Sequence, residues 1–392
     1  LYMGLVDVCL YCGNEKAKGI LIKSTDWAWD MVGGLSDEQF EKMLHCEHGG
    51  INEAFAEIYA LTGYEKALKL ARRFYHHRVL DPLAREEDRL TGLHSNTQIP
   101  KLIGLARLYR LTGEEHYDKA SRFFWKAVVE DRTYVNGGNT DGEYFFPPAD
   151  FSRHLSVHTT ETCNTHNMLK LTRQLFAMDP KGRYADYYER GLYNHILASQ
   201  DPNEGMMIYF CPLKSGHFKT YNTPFDSFWC CTGTGMENHV KYGDSIYFHD
   251  RESLYVNLFI PSVLNFREKG LTVTQETGYP LSGEIRLGFE AEEPVKLNVK
   301  IRRPKWASDE PSLKVNGLAH RCKAGPGEYM TIERVWEKGD RVDIAFAMKL
   351  RTEAMPDNPK KIAFFYGPTL LAGALGKEGI EDIDPHAGKR NK

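Results

Sequence analysis

Along the first half of the chain apolar residues recur with the three-to-four spacing of amphipathic helices, and the runs come in pairs. "INEAFAEIYALTG" leads into "YEKALKLARRF", "IPKLIGLARLYRLTG" into "EEHYDKASRFF", and a third pair surrounds "LYCGNEKAKGILI". Gly13, Gly63 and Gly113 stand 50 residues apart, and each closes the first run of its pair. Glycine belongs at such a helix end because it enters the left-handed conformation at no steric cost. The predicted unit is helix, tight turn, helix, and a period near 50 marks a repeated supersecondary unit. A looser fourth copy, "NMLKLTRQLFAMDPKGRYADYYERGLYNHIL", turns at Asp179-Pro180. Such hairpins either stack as a solenoid or close into an α/α toroid. In a toroid one helix of each hairpin lines an inner ring, and the loops entering the inner helices share a rim.

The second half changes period. From about Met206, and plainly from Ser253, β-branched and aromatic residues alternate with polar ones, as in "SLYVNLFIP", "LTVTQETG", "GEIRLGF", "VKLNVKIRRP", "YMTIERV" and "DRVDIAFAM". Turn signals separate these runs every 8–12 residues, the signature of a β-sandwich. "KIAFFYGPTLLAGAL" is a further strand run, and the polar tail "EDIDPHAGKRNK" is expected to fray. The expected organisation is an α/α toroid of the six-hairpin type over 1–250, incomplete at its N-terminus, followed by a β-sandwich over 251–392 that is itself open to truncation.

Composition narrows the function classes. A net charge of −3 over 392 residues argues against a nucleic-acid or polybasic membrane surface. No apolar run reaches the about 18 residues of a spanning helix. The opening "LYMGLVDVCLYCGNEKAKG" has neither the charged start nor the cleavage site of a signal peptide, and no initiating Met. It reads as the start of a fragment, which leaves cytoplasmic, periplasmic and secreted locations open, and the oligomeric state with them. Eight cysteines in a chain this long are not a disulfide framework. Cys9 and Cys12 form a CxxC, but in an apolar helical stretch with no second pair to complete a metal site.

Chemistry collects ahead of the inner helices. His48 in "CEHGGINE", His94 in "HSNTQIP" and Cys163 in "ETCNTHN" fall 15, 19 and 16 residues before their turn residues. Shared phase places all three on one rim, part of which would precede residue 1. Each is also an ordinary residue for a helix start, as a cap or a satisfied polar group. Between the third and fourth hairpins runs an irregular stretch, "YVNGGNTDGEYFFPPADFSRHLSV", longer than most loops inside a domain. It carries Glu143 next to Tyr144. An acid beside aromatic surface can serve as a proton donor, and a solvated loop carboxylate is the alternative.

"SFWCCTGTGMENH" sets Cys230 and Cys231 side by side. Adjacent cysteines seldom bridge each other, but two thiolates can share one soft metal. Zinc takes four ligands from Cys, His and carboxylate, and Glu161 with Cys163 would complete such a set. Two buried free cysteines would look the same in sequence. "TGTG" reads as a turn leading into a helix over "MENHVKYGDSIYF", whose positive end would stabilise thiolates. It is not a phosphate loop, since GxxxxGK is absent.

Together "EHGGINE", "HSNTQIPK", "ETCNTHNMLKL", "YERGLYNHIL" and "SFWCCTGTGMEN" resemble the β-L-arabinofuranosidases of glycoside hydrolase family 127 and its sister family 146. The likeness in order and spacing runs from about residue 46 to 240 and continues less specifically through the β region. It implies an α/α toroid followed by β-sandwich domains, in proteins longer than this chain. Carried over position by position, it implies Zn²⁺ ligands at Glu161, Cys163, Cys230 and Cys231. It implies a cysteine nucleophile at Cys230, a general acid/base at Glu143, and sugar contacts at His48, His94, Glu189 and Tyr209. Phe228-Trp229 stand where the better-known branch has a further cysteine, which touches linkage preference more than chemistry. The activity implied is a retaining exo-acting glycoside hydrolase on β-L-arabinofuranosyl glycans. Two other readings stay open: a glycan-binding toroid with a structural zinc, and a toroid epimerase or lyase working through His or Tyr.

Overall fold

The computed structural model describes residues 1–46, 48–376 and 378–379, so the tail "EDIDPHAGKRNK" lies outside the described residues. Each paired apolar run forms two helices around its glycine. The first pair is α1 (Tyr2–Cys12) and α2 (Glu15–Val32), followed by a short α3 (Asp37–Leu44). The second is α4 (Ile51–Thr62) and α5 (Glu65–Arg73), followed by a short α6 (His77–Ala84). Then come α7 (Ser95–Thr112) with α8 (Glu115–Val129), and α9 (Thr162–Met178) with α10 (Gly182–Gly191). Gly13, Gly63 and Gly113 cap α1, α4 and α7 at φ 60°, 68° and 73°, the left-handed backbone that the repeat predicts.

The first helices of the pairs pack side by side in the order α1, α4, α7, α9, and α2, α5, α8 and α10 each lie against their own partner. The inner row is buried on most sides: in α7, Ile99, Leu102, Ile103, Leu105, Ala106 and Leu108 are all covered. Each of these Ile and Leu side chains contributes about 1.5–3 kcal/mol on burial. α4 and α7 approach so closely that a Cβ on Gly104 would stand 2.3 Å from the Asn52 amide. That amide in turn donates to the Lys101 carbonyl at 2.9 Å. All four inner helices therefore begin at the same end of the row.

α10 runs on through a π turn (Leu192–Ile196), and after an irregular stretch comes α11 (Cys230–Val240), which packs on α9. Two expectations change here. Residues 206–229 pair only through isolated bridges, because their polar contacts go to the loop beside α9 rather than to a sheet. "TGTG" is no turn: the helix starts at Cys230 and runs straight through it. Gly235 suits it there, since a Cβ would meet Met207 Cγ at 2.6 Å.

The strands are β1 (Tyr247–His249), β2 (Ser253–Val256), β3 (Ser262–Phe266), β4 (Leu271–Thr277), β5 (Glu284–Ala291), β6 (Val295–Arg302) and β7 (Ser312–Val315). β8 (Leu318–Ala319), β9 (Tyr329–Trp336), β10 (Arg341–Ala345), β11 (Leu350–Met355), β12 (Asn358–Tyr366) and β13 (Thr369–Leu370) follow. They form sheets of order β1-β2-β6-β9 and β3-β4-β5-β10-β7-β8, and a small third sheet β11-β12-β13. The inward residues of the first two share one core: Leu297, Val299, Ile301, Ile332 and Trp336 from one sheet, Val273, Leu287, Phe289 and Val342 from the other. This is the sandwich that the alternation predicts.

α10 ties the halves together. Arg302, fully buried at the end of β6, pairs with Asp186 at 2.7 Å and with Glu189. Arg190 pairs bidentately with Glu353 of β11. No helix among the described residues is long and apolar enough to cross a membrane.

Candidate active site and metal centre

The site is assembled by backbone pairing before any side chain acts. Thr162 N–H donates to the Tyr209 carbonyl at 3.0 Å and Cys211 N–H to the Thr160 carbonyl at 3.2 Å, so the 209–211 segment lies along the entrance to α9. The loop between α8 and α9 is pinned below by a small core of Tyr134, Phe146 and Phe151, and by buried Arg132 bonding the Phe146 carbonyl. Its tip is pinned above: Ser95 N–H donates to the Glu143 carbonyl at 2.8 Å, and Tyr144 bridges to His94. Glu143 is thereby delivered to the start of α7. Thr140, Glu143 and Thr160 hold φ of 80°, 76° and 53°. Side chains in that region cost on the order of 1–3 kcal/mol each and cluster at functional sites.

Glu161 caps the N-terminus of α9, Cys163 lies in its first turn, and Cys230 and Cys231 open α11. One ligand atom from each of these four lies within 4.8 Å of all the others. Cys230 Sγ is 4.0 Å from Cys231 Sγ and 3.9 Å from Glu161 Oε1, and Cys231 Sγ is 4.0 Å from that oxygen. Two helix N-termini face the cluster, and their partial positive charge favours anions there. Glu161, Cys163 and Cys231 are buried, and Cys230 is the exposed member.

The electrostatics separate the sulfurs. Hydrogen bonds from Cys163 and Cys231 hold the Cys230 thiol far below its ordinary pKa. Donation to Cys230 pushes Cys163 up, and burial pushes up Cys231. Burial, then the charge on Cys230, holds the Glu161 carboxyl well above the usual range. The hydrogen bonds within the cluster thus favour the thiolate at Cys230 over its two neighbours. Glu161 Oε2 is buried without a hydrogen-bond partner. A buried carboxylate whose Oε1 faces the sulfurs and whose Oε2 is unpartnered fits a soft divalent cation, and zinc is the common ion for Cys and carboxylate ligands.

Beside the sulfurs stands Tyr209. Its hydroxyl donates to Glu143 Oε1 and lies 3.7 Å from Cys230 Sγ. Glu143 Oε2 faces His94 Nε2 at 3.7 Å. His94 is also the N-cap of α7, its Nδ1 accepting from Thr97 N–H at 3.4 Å, so the cap and the rim position coexist. Glu143, His94, Tyr209 and the four-residue cluster thus form one contiguous site.

Two residues implied by the resemblance stand elsewhere. His48 begins α4 at the same end of the row, but its ring lies 5.7 Å from His76 and its Nδ1 faces the Cys46 carbonyl. Burial and the nearby Lys101 charge lower its pKa. Glu189 is off the rim altogether: it accepts from Tyr279 at 2.5 Å, from Trp306 at 3.1 Å and from Arg302, all of the β half. Its position in the last turn of a hairpin's second helix points it at the sandwich. Nothing in the motifs singled out Asn96, Asn167 or Thr234: Asn96 bonds Glu161, Asn167 bonds Asn96, and Thr234 bonds Cys163. Asn167 stands one helical turn after Cys163, a spacing that marks it as a neighbour on the same face.

A helical row with its rim chemistry beside the sulfur cluster, joined to a β-sandwich, defines the class: an α/α-toroid protein whose rim carries a Glu/Cys₃ cluster that could hold a metal. The chain matches the "Beta-L-arabinofuranosidase, GH127 catalytic domain" over residues 1–244 and the "GH127 middle domain" over 253–348. It belongs to glycoside hydrolase family 127. It is 24% identical over 293 residues to a "Non-reducing end beta-L-arabinofuranosidase" of Bifidobacterium longum subsp. longum, covering 68% of this chain and 43% of that protein. Its fold is similar to the crystal structure of a GH127 beta-L-arabinofuranosidase from Geobacillus stearothermophilus T6, with TM-score 0.78 and 22% identity over 94% of this chain and 65% of the other. A second GH127 beta-arabinofuranosidase structure gives 0.71 and 24% over 82% and 56%. The chain thus spans under two thirds of the length of these relatives.

Proposed function

We propose that this chain carries the active site of a retaining, exo-acting glycoside hydrolase that releases L-arabinofuranose from β-L-arabinofuranosyl glycans. The helical half, 1–250, is taken as the catalytic domain and 251–392 as its β-sandwich. The observation that carries the reading is the single exposed sulfur of the cluster, Cys230, sharing the Tyr209 hydroxyl with Glu143. Glu161, Cys163, Cys230 and Cys231 would hold Zn²⁺, which when bound keeps thiols ionised near neutral pH, below the free-thiol value of about 8.5.

In the first step Cys230 Sγ attacks the anomeric carbon, and the bond from that carbon to the leaving oxygen breaks as Glu143 gives the oxygen a proton. In the second, Glu143 takes a proton from water, the hydroxide bonds to the same carbon, and the carbon–sulfur bond breaks. Two inversions retain the configuration. Carboxyl pairs of retaining enzymes stand about 5–5.5 Å apart, and here one phenol oxygen touches both reacting groups. A hydroxyl both donates and accepts, so Tyr209 can serve Glu143 before and after proton transfer. His94 and Tyr209 border the space where the furanose would sit, with His48 further along the same end.

The test is hydrolysis of an aryl β-L-arabinofuranoside. Cys230→Ser is expected to abolish turnover with the fold intact, and Glu143→Gln to retain activity only where the leaving group needs no proton. Chelation should remove activity and added Zn²⁺ restore it. Substantial activity in Cys230→Ser would overturn the nucleophile, and bound zinc with no hydrolysis would favour a glycan-binding protein.

A further inference from the structure

We infer that Asn96, held in place by Asn167, is a positioning residue that orients the Glu161 carboxylate for metal binding. The inference rests on the metal-site reading above. Asn96 lies in the first turn of α7 and its Nδ2 donates to Glu161 Oε1 at 3.3 Å. Its own Oδ1 accepts from Asn167 Nδ2 at 2.8 Å, and Asn167 sits on α9. Because an N–H donor occupies the Asn96 carbonyl, the amide cannot flip without losing that bond, and its NH₂ must face Glu161.

The contact falls on the oxygen that matters. Oε1 is the one 3.9 Å and 4.0 Å from the sulfurs of Cys230 and Cys231, while Oε2 has no hydrogen-bond partner. A carboxylate oxygen has two lone pairs, so Oε1 can accept from the amide and still face a cation. The chemistry of the donor also fits. Lys or Arg here would neutralise the carboxylate and repel a divalent ion, whereas a neutral amide fixes its direction and leaves its charge available. Glu161 is 1% exposed, so no bulk water can do this instead. The pair also spans two inner helices: α7 supplies the orienting amide, and α9 supplies both the ligand and the residue that holds the amide.

The experiment measures the metal-free full chain, Asn96→Ala and Asn167→Ala. Zn²⁺ affinity is read by competition with a chromophoric chelator, and geometry by the visible bands of bound Co²⁺. Asn96→Ala should weaken Zn²⁺ about 10- to 100-fold, the usual effect of losing an outer-shell partner. The Co²⁺ ligand-field bands should shift while sulfur-to-cobalt charge transfer persists. Asn167→Ala should move both readouts in the same direction by less. A merely structural role would lower the thermal midpoint of Asn96→Ala yet leave affinity within twofold and the spectrum unchanged, and that overturns the inference. If Asn96→Ala does not fold, Asn167→Ala decides by the same criterion. A native chain that binds neither ion would sink the metal-site reading itself, a result distinct from native binding that the variants fail to disturb.

Discussion

Cys230 and Cys231 are neighbours in sequence with opposite characters. One is exposed, with its thiol pKa lowered by its neighbours' hydrogen bonds; the other is fully buried, with its thiol pKa raised by burial. Sequence could raise the pair as ligands, but only the direction of α11 tells which sulfur faces solvent. Glu143 was legible as an acid in an irregular stretch next to an aromatic. Its link to Tyr209 was not, because that contact spans 66 residues and depends on the backbone pairing of 209–211 with the start of α9. Glu189 shows the limit of carrying a role over by position: the residue is there, but its partners are Arg302, Tyr279 and Trp306. Tyr209→Phe removes the hydroxyl shared by acid and sulfur while keeping the ring against Trp229. It is expected to lower kcat by about 10- to 100-fold, less than the 10²–10⁴ of a general acid itself, with little change in thermal stability. An unchanged kcat would show that Glu143 needs no such partner.

At the scale of elements the first three helix pairs were readable because apolar spacing and capping glycine agree at their turns, as at Tyr59 to Gly63 and Tyr109 to Gly113. α11 was misread at its start because "TGTG" has turn composition, and only the close approach of Met207 to Gly235 explains a glycine inside the helix. The short helices α3 and α6 carry no glycine signal and were not anticipated. The four proposed ligands come from two helix starts, α9 and α11, so a bound cation would staple one to the other. Since a ligand that binds only the folded state stabilises it, chelation should speed amide hydrogen exchange in 230–236 selectively, leaving the centre of α7 protected. Equal acceleration in both helices would mean that the cluster does not hold α11 locally.

Over the whole molecule the alternating runs were sufficient for a sandwich, since inward and outward residues differ at every second position. The attachment of sandwich to helices was not readable, because it depends on single charged residues far apart in the chain. Glu353 illustrates this. Burial pushes its carboxyl up, but Arg190 and Arg351 outweigh that and hold it down at about 2. An unfolded glutamate titrates near about 4.3, so the stabilisation is present above that pH and is lost as pH falls from there towards 2. The thermal midpoint of the native chain should therefore fall towards that of Glu353→Gln across this window. A gap that stays constant with pH would rule the pairing out as its source.

The buried Arg302 has a consequence for synthesis. A ribosome releases the chain from its N-terminus, and Asp186 and Glu189 emerge 116 and 113 residues ahead of the guanidinium they share. Buried charges left without a counter-charge are strongly unfavourable. Until β6 has been made, those acids on α10 stay hydrated on the face that the sandwich will cover. The helical half is thus translated first, but the acidic face of α10 is covered only after the sandwich has been made.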